Sequence, residues 1–82
     1  LMPVTHLRFL VSAPLKIEGH AVEPGHYAGY EANRPSANHK GGRLTTYHMD
    51  IPVPVEENGG LVMSVKKVTV TDEVQSGDIE IL

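Results

Sequence analysis

From Arg43 to Ile51 the chain reads RLTTYHMDI and alternates cleanly between two sides. Thr45, Tyr47, Met49 and Ile51 point one way, inward, while Leu44, Thr46, His48 and Asp50 point the other. A period of two is the signature of a half-buried strand. Elsewhere six prolines and eight glycines cut the chain into short pieces. Only Leu61 to Ser76 runs more than ten residues without either, and its valines and threonines suit a pleated surface better than a helix. The pattern predicts strands near 5–12, 15–22, 26–32, 43–51, 61–71 and 78–82. One short helical turn follows the fifth strand, with Thr71 as its cap and Gly77 as its terminator. The expected fold is all-β: a single antiparallel barrel or roll of five to six strands spanning 1–82.

Two local features refine that picture. Glu23-Pro24-Gly25-His26 fits a type II turn, with proline at the first central position and glycine at the second. Closing a two-residue hairpin there sets Val22 against Tyr27, Gly19 against Tyr30 and Ile17 against Ala32. The Tyr30 ring then covers Gly19, and Val22 and Tyr27 are left on the outer face. In the fifth strand Leu61, Met63 and Val65 share one parity, while Val68 and Val70 take the other. A β-bulge at Lys66-Lys67 would return both sets to the core and bend the strand, as closure of a small barrel requires. Ahead of that strand, Pro52-Val53-Pro54-Val55 reads as an edge or linker, and 56–60 (EENGG) turns the chain back. Ile79, Ile81 and Leu82 predict that the last residues pair in the sheet.

Length and composition then narrow the class. Eighty-two residues make one domain, burying about 60–65% of the surface its unfolded chain exposes, so the core is marginal. With no cysteine, disulfides, thiolate metal sites and a cysteine nucleophile are excluded. No apolar run approaches the ~20 residues of a membrane span. Leu7 to Leu15 is apolar but lacks the basic flank and cleavage site of a signal peptide. Leu1 ahead of Met2 reads as a residue added before the natural start. The expected setting is soluble and cytoplasmic, without membrane and without cofactor.

The net charge of −3 is unevenly distributed. Residues 1–49 carry five Lys/Arg against three acids, and all five histidines; residues 50–82 carry seven acids against two lysines. Opposite halves of this kind favour self-association.

Three constellations are candidates for chemistry. In the Pro24-Gly25 hairpin register Glu18 lies opposite Glu31, with His20 on the same face. Two carboxylates beside a histidine form a divalent-metal or acid–base candidate. His48 and Asp50, two apart on one strand face, offer a His–carboxylate pair, and with Glu31 they make the catalytic set of a small hydrolase or nuclease. Arg34 and Lys40 in the ten-residue loop 33–42, followed by Arg43 and joined by Tyr27 and Tyr47, form a candidate binding surface for single-stranded nucleic acid. The acidic net charge and the scarcity of aromatic residues argue against that last partner. Histidine spacings match no metal signature, and no H-E-x-x-H, EF-hand, G-x-S-x-G or RNP-like motif is present. The sequence therefore reads as a non-catalytic interaction module that self-associates or binds a protein partner. A hydrolase and a nucleic-acid-binding barrel are the alternatives.

Overall fold

The computed structural model describes residues 4–35 and 42–82. Leu1, Met2 and Lys40 lie outside them. Most of the chain is strand: β1 (Val4–Val11), β2 (Leu15–Ile17), β3 (His20–Val22), β4 (Gly25–Pro35), β5 (Arg43–Glu57), β6 (Gly60–Thr69) and β7 (Ile79–Ile81), with one helix, α1 (Thr71–Ser76). Five strands form an antiparallel sheet in the order β6-β5-β4-β1-β7, and β2 pairs with β3 in a separate hairpin. The all-β expectation holds. The barrel does not close, because β6 and β7 stand at opposite ends of the sheet order.

Paired residues share a face, which sorts the side chains into two layers. One face carries Phe9 and Val11 of β1, Met49, Ile51 and Val53 of β5, Val68 of β6 and Ile79 of β7; these are buried with Ile17, Val22 and Val70 in one cluster. The β2–β3 hairpin supplies Ile17 and Val22, and Val74 of α1 packs against the cluster. The inward set expected for the fourth strand is thus the core face of β5. The opposite face of the sheet remains open.

The expected hairpin register is corrected. The turn lies at Glu18-Gly19, with Leu15 opposite Val22 and Ile17 opposite His20. Both turn residues have positive φ, 49° and 80°. That geometry matches the twist of paired strands, which a type II turn does not. Gly25 sits at φ 156°, outside type II values, and begins β4 opposite Val11. Tyr30 therefore lies opposite His6 and His48 rather than over Gly19, and Glu31 lies opposite Thr5 and Tyr47 rather than Glu18. Val22 is buried and Tyr27 half-buried, so neither forms an outer apolar face.

The bulge is corrected as well. From His48 opposite Thr69 to Glu57 opposite Gly60 the β5–β6 register runs without a skipped residue. Asn58 and Gly59 close it with positive φ at both positions, the two-residue turn that Asn-Gly favours. Without a bulge the two apolar sets stay on opposite faces. Val68 enters the core, while Leu61, Met63 and Val65 remain 73%, 65% and 72% exposed. At the other end of β6, α1 starts from Val70 with no side-chain cap, and Gly77 at φ 88° ends it. Thr71 is not the cap; its Oγ1 accepts the Tyr47 N–H at 3.0 Å.

Candidate functional site

The open face is built from the even-numbered residues of β1, β4 and β5 and the odd-numbered ones of β6. Its central row crosses four strands: His6, Tyr30, His48 and Thr69 are successive partners. The His48 ring stacks on Tyr30 at 4.8 Å, and the Lys67 ammonium sits 4.9 Å from the centre of the Tyr30 ring. The two His48 ring nitrogens lie 3.3 Å from Thr46 Oγ1 and 3.4 Å from Thr69 Oγ1. A neutral imidazole satisfies both, donating to one hydroxyl and accepting from the other.

The expected chemical sets are separated by this sheet. His48 and Asp50 share the open face, but Glu31 projects from the core face, where Tyr47 Oη donates to its Oε1 at 3.4 Å. His48 is engaged by Thr46, Thr69 and Tyr30 rather than by Asp50. Glu18 is at a hairpin turn and its Oε2 accepts the Thr69 N–H at 2.8 Å, away from Glu31. His20 pairs with Ile17 in that hairpin. Among the described residues, no group of three His, Asp or Glu side chains is placed to hold a metal ion. A shallow cleft of about 450 Å³ beside His6 and Arg8, and one of about 310 Å³ beside Glu18 and Asp72, contain neither His48 nor Asp50.

The expected binding surface is also dispersed. Tyr27 donates to the Glu23 carbonyl at 2.5 Å, and Tyr47 packs edge-on against Phe9 with ring centres 6.4 Å apart. Both rings pack against the buried cluster. Arg43 folds back on Asn33, donating to its Oδ1 at 2.7 Å and to its carbonyl at 3.3 Å. Arg34 is exposed at the same end of the sheet.

Burial, and then the neighbouring Glu31 charge and hydrogen bond, push the Tyr47 phenol above its usual 10. Ionisation is disfavoured in the folded state alone, so this contribution to stability is complete below pH 10. It is lost as pH rises through the folded value. In an absorbance titration at 295 nm, Glu31→Gln is expected to bring the Tyr47 ionisation to lower pH. A titration left unchanged by Glu31→Gln would contradict the Tyr47–Glu31 contact.

The most unusual surface lies at the end of the sheet. β4 pairs with β5 only from Pro35·Arg43 to Gly29·Met49, so beyond Met49 the strand β5 continues with β6 alone as a neighbour. The result is a two-stranded arm. Its base gives Ile51 and Val53 to the core, and its outer part is exposed. The described chain measures 51 × 27 × 20 Å with a radius of gyration of 14.7 Å, against about 12 Å for a compact domain of this length.

The arm's two edges differ. Val70 N–H donates to the Tyr47 carbonyl at 2.8 Å, one of the two bonds of a hydrogen-bonded position in the β5–β6 ladder, the Tyr47 N–H going to Thr71 instead. In an antiparallel ladder such pairs alternate with non-bonded ones, whose N–H and C=O groups turn outward. Pro52·Val65 and Pro54·Met63 are of that second kind. On β5 the outward positions of the arm include two prolines, which have no N–H to offer. On β6 the outward backbone groups belong to Leu61, Met63, Val65, Lys67 and Thr69. Only Thr69 has a recorded partner, Glu18, among the described residues. Lysine commonly guards such an edge, but here the Lys67 head is drawn back over Tyr30.

These features define an all-β fold with an open antiparallel sheet and a projecting hairpin arm. No helix among the described residues is long and apolar enough to cross a membrane. No family model, curated protein or solved structure matches the chain.

Proposed function

We propose that this domain is a non-catalytic interaction module whose working surface is the free edge of β6. It associates by adding an extended strand there, as edge-pairing modules do. The observation that carries the reading is the run Leu61–Lys67. It combines outward-turned backbone groups with exposed Leu61, Met63 and Val65, next to an edge that Pro52 and Pro54 have blunted. A long, exposed apolar edge is a template for pairing. The separation of Glu31 from His48 and Asp50 speaks against the hydrolase alternative. The engagement of Tyr27 and Tyr47 speaks against nucleic-acid stacking.

The test uses a synthetic peptide with the sequence of Gly60–Thr69, titrated into the isotopically labelled chain. The largest amide shifts are expected at Leu61, Met63, Val65 and Lys67. Val65→Pro is expected to abolish them while leaving the spectrum of the sheet intact, because the Val65 N–H points away from β5. An absence of shifts, or equal shifts in Val65→Pro, would overturn the reading.

A further inference from the structure

The free edge of β6 has a centre. Its outward positions Leu61, Met63, Val65 and Lys67 are symmetric about Ser64, and the next one, Thr69, is occupied by Glu18. We infer that the strand this edge accepts is β6 of a second copy of the chain. It runs antiparallel about a two-fold axis through Ser64 and joins two five-stranded sheets into one. The inference rests on the edge-pairing reading above and adds the partner and the register.

Register follows from which backbone groups are free. With the axis at Ser64, Leu61 meets the partner's Lys67 and Met63 meets the partner's Val65, so all four outward positions of each copy are bonded. With the axis at Met63, Lys67 faces Gly59, which lies in the left-handed turn at φ 80°. With the axis at Val65, Leu61 faces Thr69, whose N–H already donates to Glu18. Both shifts leave hydrogen-bonding capacity unused.

Charge selects the partner and its direction. Each arm carries Glu56 and Glu57 near its tip and Lys66 and Lys67 towards its base. Antiparallel self-pairing sets Leu61 and Val62 of one copy against the lysine-bearing stretch of the other, with Glu56 one strand behind Leu61, about 10 Å from that stretch. A parallel arrangement would set lysine beside lysine, which opposes pairing. The same strand supplies both sides of the contact, so the interface is isologous and closes on itself. Pro52 and Pro54 keep the arm's other edge from extending the assembly.

The chain has no cysteine, so Ser64→Cys introduces a single thiol on an exposed position. At the axis the two residues form a non-hydrogen-bonded pair with Cα atoms about 4.5 Å apart, within disulfide range. Val62→Cys lies on the same face, but its two copies would be about 13 Å apart. Under mild oxidation of the full chain, Ser64→Cys is expected to cross-link about tenfold faster than Val62→Cys or more. Adding Val65→Pro is expected to reduce Ser64→Cys to the Val62→Cys rate. Equal rates at the two positions, or sedimentation of the unsubstituted chain as a monomer at millimolar concentration, would overturn the inference. If the Gly60–Thr69 peptide still binds in that case, the edge reading stands and only self-pairing about Ser64 falls.

Discussion

Gly29→Ala is expected to remove about 3 kcal/mol of stability or more at 25 °C, a large part of the whole. A Cβ built at Gly29 would run into the His48 carbonyl oxygen on the neighbouring strand. It would also lie 2.6 Å from Phe9 Cε2 and 3.0 Å from the Met49 Cα. Two of those three obstacles are backbone, which has no rotamer to move to. Gly29 is buried in the central strand β4, between β1 and β5, so relief requires spreading the sheet. Overpacking of this kind costs about 3 kcal/mol or more. The whole stability expected for a domain of this length is only about 4–12 kcal/mol. Urea unfolding followed by circular dichroism measures the loss. Gly60→Ala is the control: its Cβ meets nothing closer than the Glu57 carbonyl at 3.9 Å, and a change within about 0.5 kcal/mol is expected. Equal stability of Gly29→Ala and the unsubstituted protein would contradict the β4–β5 register.

Phe9→Ala is the second large effect. Phe9 is completely buried and its ring meets Tyr47 edge-on at 87° between planes. It is the one phenylalanine of the chain, and the rest of the buried cluster is aliphatic or methionine. Truncation removes the largest buried ring and leaves a cavity, at a cost of about 3–5 kcal/mol. Phe9→Leu, which keeps most of the volume, is expected to cost about 1–2 kcal/mol. The two sites are coupled, because Phe9 Cε2 occupies part of the space a Gly29 Cβ would need. The double substitution is therefore expected to cost less than the sum of the single ones. Strict additivity would place Phe9 away from β4.

The strand content was legible from punctuation, since prolines and glycines leave little room for helices. The inward set of β5 was legible from its alternation, and a turn within 56–60 from its EENGG composition. The Glu18-Gly19 turn was not. Glutamate is a poor marker for the left-handed region, and its reward, the Thr69 N–H, lies fifty-one residues away. Pro24-Gly25 offered a stronger local turn signal that the tertiary pairing overrides. The apolar alternation of β6 misled for a related reason. Period two shows that Leu61, Met63 and Val65 share a face, but whether that face is covered depends on which side of the sheet the β2–β3 hairpin and α1 pack. The Tyr30–His48 stack was equally hidden, because cross-strand neighbours follow from register and not from sequence spacing.

Sedimentation equilibrium of the full chain over a wide concentration range, beside Val65→Pro, tests the central claim about the β6 edge most directly. The unsubstituted protein is expected to pass from monomer to dimer as concentration rises, and Val65→Pro to remain monomeric with its fold intact. A dimer of unchanged strength in folded Val65→Pro would place the contact elsewhere and contradict the account.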